Sequence, residues 1–375
     1  MKKKILVNAY FSKNFGDDLF LKVLFDRYPN VYWELLTPNK EYEEIFKEYT
    51  QVKIIKSMNV NFLGLKKINM FNQINKFFNY HQYDALVLIG GSIFMEIPNW
   101  RAALKEREFL PRQFKRQKKS TFILGSNFGP YSDVAYVDSY KNFFSLFDDV
   151  CFRDFYSYKL FNSLNNVRSS PDVVFNLKVR EVKKEENLVG FSIINLEKRK
   201  NLKVNYKKYN TKMVQLIENK VKNGSKVKLF SFCEKEGDLV IAKLIKENVQ
   251  KQYREKVEII NYEGDIEGFL KEFQSCGAII GTRFHSIVLA LLLGQRLLPI
   301  IYSDKTYNIL EDLNLEKKGY FIENVNNISV NDLNSISSVT ISRKYIEKAA
   351  LQFKALDEYL SISSINSKDN YKVSV

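Results

Sequence analysis

The sequence is poor in the residues that form disulfides and bind soft metals. Its 375 residues include three cysteines and two histidines. Cys151, Cys233 and Cys276 are not closely spaced, and Cys151 and Cys276 adjoin apolar segments. This pattern predicts small core residues in a reducing compartment, with neither a disulfide framework nor a zinc site.

Long apolar runs are also missing. The longest, residues 287–301, is interrupted by Gln295 and Arg296 and falls short of the ~20 residues that a spanning helix needs. The N-terminal MKKKILVNAYF has only a short apolar stretch, contains Asn8 and lacks a small-residue cleavage site, so we interpret it as a first strand. We therefore expect a cytoplasmic protein, with at most peripheral attachment to the inner face of the membrane.

Acidic residues are too few to balance the basic ones. The 58 Lys and Arg against 43 Asp and Glu give a formal charge of +15, which favours anionic partners such as nucleic acid, acidic lipid or phosphorylated small molecules. The only dense basic stretch is RQFKRQKK at 112–119, and the other basic residues are scattered as on an ordinary solvated surface. Without a nucleic-acid motif we expect no nucleic-acid partner, although a basic protein that binds an anionic polymer remains an alternative.

What the chain does contain is a regular alternation of short apolar runs and amphipathic stretches. Such runs, each ending in a polar or glycine-bearing loop, are typical of buried parallel strands with crossover helices. The predicted strands are 4–11, 31–37, 52–57, 84–90, 120–126, 149–154, 187–194, 226–232, 257–262, 277–281 and 297–302. This predicts an α/β fold with mainly parallel, doubly wound sheets.

The length exceeds what one core usually supports, so two domains are expected. The apolar periodicity is lost near residues 178–187, which predicts a linker there. We predict Rossmann-like domains at 1–180 and 186–340 that face one another, and a C-terminal region, 341–375, with one amphipathic helix from 343 and a frayed end.

The segment GTRFHS at 281–286 lies between a predicted strand and a predicted helix that can stop at Gly294. The free N–H groups and the dipole of that helix favour an anion at its N-terminus. Arg283 adds a donor fork for a carboxylate or phosphate, and His285 adds a proton donor. The alternative is that Arg283 pairs with a nearby carboxylate and that His285 caps the helix or fills a polar gap.

Other loops that follow predicted strands carry candidate ligand-binding residues, because ligands of α/β sheets bind at the carboxyl ends of the strands. In KNFGDD, Asp17 or Asp18 can cap a helix, and Asp17 can also hold sugar hydroxyls or act as a base. The remaining candidates are Gly90, Gly91 and Ser92 in LIGGSIF, Asn127 in GSNFGP, Arg153 in CFRDFYSYKLF, Asp172 in SSPDVVF and Lys305 in YSDKTYNIL. For Arg153 the alternative is a surface arrangement with Asp154.

These segments resemble the polysaccharide pyruvyl transferase family, which attaches pyruvate from phosphoenolpyruvate to sugars as a ketal. The matching pieces are NFGD (14–17), GGSIF (90–94), FRDFYSYKLF (152–161), SPDVVF (170–175), GTRFHSIVLALLLG (281–294) and PIIYSDK (299–305). They occur in family order over residues 5–315. The resemblance implies a GT-B-like fold of two Rossmann-like domains, with no required metal and no cofactor beyond phosphoenolpyruvate as co-substrate.

The resemblance also implies roles for individual residues. Arg153, Arg283 and His285 would line the phosphoenolpyruvate site, with Phe284 contributing mainly backbone, while Asn14 and Asp17 would face a sugar or lipid-linked oligosaccharide acceptor. His285 is then the expected general acid and Asp17 the expected base. The alternative enzyme is a GT-B glycosyltransferase in which Arg283 and Lys305 hold a nucleotide-sugar diphosphate.

Overall fold

The computed structural model describes residues 2–56, 59–62, 66–69, 80–199, 201–339 and 341–361. The chain divides into two compact units. The first comprises Met1–Tyr10, Val23–Asn176 and Ser342–Val375, and the second comprises Phe11–Lys22 and Leu177–Ile341. Relative to the sequence-predicted ranges, the second unit includes the segment 11–22, and the C-terminal segment belongs to the first unit.

The first unit is built on a seven-stranded parallel sheet with the order β3-β2-β1-β6-β7-β8-β9, and β4 and β5 form a separate antiparallel hairpin. The strands are β1 (Lys4–Ala9), β2 (Tyr32–Thr37), β3 (Val52–Lys56), β4 (Asn59–Phe62), β5 (Lys66–Asn69), β6 (Ala85–Ile89), β7 (Ser120–Ser126), β8 (Asp149–Phe152) and β9 (Val167–Ser169). The helices that accompany them are α1 (Phe15–Arg27), α2 (Glu41–Ile45), α3 (Trp100–Arg107), α4 (Phe109–Arg116), α5 (Val134–Phe144) and α6 (Phe155–Phe161), and the residues of α1 up to Lys22 belong to the second unit.

The second unit is built on a six-stranded parallel sheet with the order β12-β11-β10-β13-β14-β15. Its strands are β10 (Glu185–Ser192), β11 (Lys226–Ser231), β12 (Val257–Asn261), β13 (Cys276–Gly281), β14 (Arg296–Ile301) and β15 (Tyr320–Phe321). Its helices are α7 (Tyr206–Lys222), α8 (Asp238–Asn248), α9 (Ile266–Gln274), α10 (Phe284–Leu292), α11 (Asp304–Asp312) and α12 (Val330–Asn334). Single 3-10 turns lie at Tyr80–Gln82, Val173–Asn176, Lys203–Asn205, Glu234–Glu236, Lys251–Lys256, Glu316–Lys318, Ile322–Asn327 and Ala350–Phe353.

Strands β6 and β13, in the middle of their sheets, carry no charged residue because helices cover both of their faces. Every residue of β6 and of β13 is buried. The predicted α/β class with two mainly parallel sheets is confirmed. The sequence pattern missed β9, β15 and the β4-β5 hairpin, which are too short for a periodicity to develop. Residue 57 of the predicted third strand lies outside the described residues.

The three cysteines are buried, and no helix within the described ranges is long and apolar enough to cross a membrane. Burial raises the pKa of each thiol to about 12, so these side chains act as small packing residues.

The C-terminal segment is helical but is not the single regular helix that was predicted. It consists of α13 (Arg343–Ala349), the 3-10 turn Ala350–Phe353 and α14 (Lys354–Tyr359), and the predicted frayed end lies outside the described residues. The turn places the fully buried Gln352 against β7 and β8. Its Oε1 accepts the Gly125 N–H (3.0 Å), and its Nε2 donates to the carbonyl oxygens of Phe152, Ser170 and Pro171 (3.3, 2.7 and 3.1 Å). These buried hydrogen bonds explain why a periodic sequence adopts a tighter turn there.

We expect Gln352→Leu to destabilise the protein by about 1–3 kcal/mol, because a buried N–H and buried carbonyls lose their partner. The measurement is urea denaturation followed by circular dichroism. The neighbouring Leu351→Ala, at a position that is 49% exposed, is the control and should stay within about 0.5 kcal/mol of the wild type. Equal stability of the two variants would contradict the role given to the Gln352 amide.

Candidate active site

In both sheets the strand order reverses at one place, between β1 and β6 in the first unit and between β10 and β13 in the second. Ligands of open α/β sheets bind outside the carboxyl ends of the strands at such a reversal. The GGSIF segment follows β6, and the GTRFHS segment follows β13. Both of these sequence-predicted loops therefore lie where this architecture binds ligands.

The loop after β13 is fixed by the last residue of β10. The Ser192 hydroxyl oxygen accepts the N–H groups of Thr282 (2.8 Å) and Arg283 (3.0 Å) and lies 2.6 Å from the Ser286 hydroxyl. Ser286 in turn donates to the Arg283 carbonyl (2.6 Å). These bonds hold the first turn of α10 at the strand ends of the second sheet.

The Arg283 guanidinium is buried and faces two carboxylates. It pairs with Asp238 through Nη2 and with Glu236 through Nη1 (2.5 Å). Glu236 also pairs with Arg199 (2.9 Å), and Asp238 accepts the Cys233 N–H (3.0 Å). We call Arg199, Glu236, Asp238 and Arg283 the Arg283 cluster. The sequence allowed two interpretations of Arg283, an anion-binding residue or a partner of a nearby carboxylate. The structure shows the ion pairs with carboxylates.

The charged groups of the Arg283 cluster shift the pKa values of one another. Burial lowers the pKa of Arg283, but Asp238 and Glu236 outweigh it and raise that pKa well above its ordinary value. Burial raises the pKa of Glu236, but the charges of Arg283 and Arg199 dominate and lower it to about 2. Glu236 is therefore ionised at neutral pH, in contact with two cations.

Tyr302 and Lys305 extend the cluster beyond the end of β14. The Arg199 guanidinium carbon lies 5.1 Å from the centre of the Tyr302 ring, and the Lys305 ammonium lies 5.7 Å from it. The same ammonium is 5.8 Å from the ring of Phe284, whose side chain is buried. Burial raises the pKa of Tyr302, but the charges of Lys305, Arg199 and Arg283 together lower it below its ordinary value.

His285 lies in the first turn of α10 with its ring enclosed by the second unit. It is 9% exposed and packs edge-to-face against Phe20 (5.3 Å between ring centres) and Phe284 (5.0 Å). Gly16 lies against the imidazole: a methyl group at position 16 would overlap its Nδ1 and Cγ atoms and approach its Cβ to 2.8 Å. The NFGD and GTRFHS segments, distant in sequence, are therefore in direct contact.

The N-cap residue of α1 is the asparagine of the NFGDD segment and not one of its two aspartates. Asn14 begins α1, since its Oδ1 accepts the Gly16 N–H (3.0 Å). Asp18 is buried and accepts the Tyr262 hydroxyl (2.7 Å), while Asp17 is half-buried. The expected helix cap at Asp17 or Asp18 was wrong, because the asparagine one residue before the helix supplies the oxygen first.

The first unit has its own buried arginine site. Arg153 is 4% exposed, pairs with Asp172 (3.0 Å) and donates to Asn127 Oδ1 (2.6 Å), which also accepts the Ser92 hydroxyl (3.0 Å). A methyl group on Gly91 would lie 2.5 Å from Arg153 Nη1, so the backbone needs a glycine there.

The considered surface arrangement of Arg153 with Asp154 was wrong. Asp154 is 4% exposed and caps α6 by accepting the Ser157 N–H (2.7 Å). Asp172 holds the guanidinium and also accepts the Val174 N–H (2.8 Å). The GGSIF, GSNFGP, FRDF and SPDVVF segments thus meet at one place in the first unit.

Sequence reasoning missed Arg199, Glu236, Asp238 and Tyr302. Two of them could have been predicted from the rule that ligands bind at the carboxyl ends of the strands, because Glu236 and Asp238 follow β11 just as Arg283 follows β13. Arg199 lies in a long loop after β10 that carries no recognisable motif. Within the described segments no group of three or more His, Cys, Asp and Glu residues could hold a metal ion.

The architecture defines a class of protein with two Rossmann-like units and a GT-B-like fold. Similar solved structures include UDP-GlcNAc 2-epimerase from Methanocaldococcus jannaschii (TM-score 0.62, 11% identity, covering 97% of this chain and 100% of that one). A putative UDP-N-acetylglucosamine 2-epimerase from Listeria monocytogenes has a TM-score of 0.62, 10% identity and coverage of 97% and 98%. A glycosyltransferase from Rickettsia africae has a TM-score of 0.55, 10% identity and coverage of 96% and 100%. At such identities the likeness shows the fold alone.

Within that class, residues 14–304 match the family model for polysaccharide pyruvyl transferase. The match covers well over half of the chain, so the chain belongs to the polysaccharide pyruvyl transferase family, and the resemblance stated from the sequence is confirmed. The amylovoran biosynthesis protein AmsJ of Erwinia amylovora is 21% identical over 268 residues, which are 62% of this chain and 60% of that protein. The chain thus spans about three fifths of this curated relative.

The contact between Gly16 and His285 predicts that Gly16→Ala will displace the imidazole and destabilise the protein by about 1–3 kcal/mol, as for overpacking a core. Because the chain has two histidines, imidazole signals in ¹H–¹⁵N NMR spectra are easily assigned with a His81→Gln variant. The signals of His285 should shift and those of His81 should not.

Gly224→Ala is the matched control for this substitution. Unlike Gly16, Gly224 has a backbone conformation that disfavours alanine (φ +88°), but a methyl group there meets nothing within 4 Å, so this variant tests the backbone effect without the clash. The control should lose about 1 kcal/mol from backbone strain without moving the His285 signals. Unshifted His285 signals in Gly16→Ala would contradict the packing described above.

The lowered pKa of Glu236 predicts a pH-dependent contribution to stability. Its ionised form stabilises the fold above the unfolded pKa of about 4.3, and this stabilisation is lost as the pH falls towards about 2. The stability difference between the wild type and Glu236→Gln, up to about 3 kcal/mol at neutral pH, should therefore shrink between about pH 5 and about pH 2. Denaturant titrations at several pH values measure it. Glu255→Gln, at an exposed position, is the control; a difference that stays constant with pH would argue against the ion pairs of Glu236.

Proposed function

We propose that this protein transfers the enolpyruvyl group of phosphoenolpyruvate onto two hydroxyls of a sugar in a surface polysaccharide or its lipid-linked precursor, forming a pyruvate ketal and releasing phosphate. The observation that carries this proposal is the position of His285 in the first turn of α10, at the strand-order reversal of the second sheet, on the same loop as Arg283. Membership of the pyruvyl transferase family supports it.

Donor binding needs several cations, because phosphoenolpyruvate places a carboxylate and a phosphate close together. Arg199, Arg283 and Lys305 supply them. The two carboxylates that pair with Arg283 differ in their exposure to solvent: the Asp238 side chain is fully buried, whereas that of Glu236 is 26% exposed. We infer that Asp238 remains on Arg283 and that an incoming anionic group of the donor replaces Glu236 at Arg283 Nη1.

The first unit contributes to this proposal through Arg153. The family resemblance implies that Arg153 binds the donor, and its contacts with Asp172 and Asn127 hold the guanidinium in one orientation. Gly90, Gly91, Ser92 and Asn127 of the same unit are the further candidate ligand-binding residues near this arginine. An arginine fixed in this way loses little side-chain entropy when it binds an anion.

The chemistry begins with a proton transfer from His285 to C3 of the enolpyruvyl group, which leaves an oxocarbenium-like carbon at C2. One sugar hydroxyl attacks C2 and gives up its proton. Phosphate then leaves with the electrons of the C2–O bond. A second hydroxyl attacks C2 and closes the ketal, and its proton passes to the imidazole of His285, which restores the general acid. Asp17, next to the Gly16 that contacts His285, is the proposed base, and the N-terminal turn of α10 together with Arg283 stabilises the developing negative charge of the leaving phosphate.

We predict that His285→Gln retains phosphoenolpyruvate binding but lowers turnover about 100-fold or more, the usual scale for a general acid. Turnover is measured as phosphate release by ³¹P NMR with a panel of acceptor sugars, and binding as the shift in melting temperature caused by phosphoenolpyruvate. His81→Gln, which removes the exposed second histidine, is the control and should be fully active.

Two results would overturn this function. Near-normal turnover of His285→Gln would show that His285 is not the general acid. A rise in melting temperature with UDP- or GDP-sugars and none with phosphoenolpyruvate would replace the donor and favour the glycosyltransferase alternative.

A further inference from the structure

A pocket lies at the carboxyl end of β14, beside the Arg283 cluster but separate from its ion pairs. Its walls include Tyr302, Ser303, Asp304, Tyr307, Phe321 and Glu323. We call it the β14 pocket. It belongs to the second unit, and the carboxyl end of a parallel strand is where this architecture binds ligands.

One wall of the β14 pocket is aromatic and open to solvent. The rings of Tyr307 and Phe321 are stacked, with 5.8 Å between their centres and 25° between their planes. Phe321 is 44% exposed. An exposed stacked pair of this kind offers a flat apolar surface that the C–H face of a pyranose ring can cover.

The polar groups of the β14 pocket suit a neutral polyol. Asp304 and Glu323 are both exposed and contribute carboxylate oxygens, which accept hydrogen bonds from hydroxyl groups. The two carboxylates repel a phosphate. The pocket therefore favours a sugar ring over the anionic donor, which the neighbouring cations attract.

Tyr302 connects the pocket with the Arg283 cluster. It is 7% exposed, its ring is near both Arg199 and Lys305, and it lines the pocket. Its hydroxyl makes no hydrogen bond to any other residue that the structure describes. A nearly buried phenol that lines a pocket and lacks an internal partner is suited to bind a ligand hydroxyl. The cations that lower its pKa also make its O–H a stronger hydrogen-bond donor towards an oxygen of the ligand.

We propose that the β14 pocket binds a pyranose ring of the acceptor, with one ring face on Tyr307 and Phe321, hydroxyls on Asp304 and Glu323, and one further hydroxyl directed by Tyr302 towards the donor cations. This inference rests on the proposed function, which identifies the bound sugar as the acceptor. It adds contacts for the acceptor ring to the sequence-based expectation that the acceptor faces Asn14 and Asp17. It assigns sugar recognition to residues outside the segments that carry the family resemblance, except Tyr302 and Asp304.

The test is saturation-transfer difference NMR of the full-length protein with methyl β-D-galactopyranoside, methyl β-D-glucopyranoside, methyl α-D-mannopyranoside and uridine. At least one glycoside should receive saturation, strongest at the hydrogens of one ring face. Phe321→Ala should weaken that glycoside's binding by about 5- to 10-fold through loss of the aromatic surface. Tyr302→Phe keeps the ring and should weaken binding by about 2- to 10-fold through loss of one hydrogen bond.

The first unit offers a matched control for Phe321. Phe155 is 47% exposed and stacks on Tyr158 at 5.7 Å and 23°, so Phe155→Ala removes an equivalent exposed pair. It should leave glycoside binding unchanged. Loss of binding in Phe155→Ala with retention in Phe321→Ala would place the sugar elsewhere and overturn the inference, as would saturation of uridine alone or of no probe.

The same variants separate this inference from the proposed function. Saturation transfer needs no donor, so it reports on the pocket even if phosphoenolpyruvate does not bind. Phe321→Ala should keep the phosphoenolpyruvate-induced shift in melting temperature of the wild type. If the protein binds sugar but phosphoenolpyruvate causes no shift in melting temperature, the proposed donor is wrong and the inference about the pocket still holds. If Phe321→Ala loses both sugar binding and the phosphoenolpyruvate-induced shift, the pocket binds the donor instead.

Discussion

The second unit depends on the buried ion pair between Arg283 and Asp238. Arg283 is both the residue before α10 and the group that neutralises a carboxylate at the start of α8, so one contact joins the ends of β11 and β13. Removing one partner of such a pair leaves an uncompensated buried charge and costs about 3–5 kcal/mol. This cost makes Arg283 a positioning residue first: its cation fixes the loop that carries His285, whatever ligand the loop binds.

Glycines at two places allow functional side chains to approach the backbone. Gly16 lies against the imidazole of His285, and Gly91 lies against the guanidinium of Arg153. Any side chain at either position would occupy the volume of the Arg153 guanidinium or the His285 imidazole. The NFGD and GGSIF segments thus share a steric feature: each contributes a glycine against which the side chain of a histidine or an arginine packs.

The sequence predicted the α/β class, the order of the strands' apolar runs and the loops of His285, Arg283, Arg153 and Lys305, because strand periodicity and strand-end position are local properties. It could not predict which carboxylates these arginines meet. Asp172 rather than Asp154 holds Arg153, and Glu236 and Asp238 hold Arg283, through contacts set by how neighbouring strands are ordered in the sheet. The 3-10 turn at Gln352 was missed for the same reason, since its buried hydrogen bonds come from β7, β8 and the segment after β9.

The charge balance at the end of β13 constrains how an anion can bind. Arg199, Arg283 and Lys305 face Glu236 and Asp238, so three cations and two carboxylates leave one net positive charge. A ligand with a carboxylate and a phosphate brings more negative charge than this surplus neutralises. If Glu236 leaves Arg283 and Arg199 when the ligand arrives, two cations become available without exposing a buried unpaired charge, because Asp238 stays in place. The overall charge of +15 is then irrelevant to recognition, and the exchange of one internal carboxylate for an external one decides which anions fit.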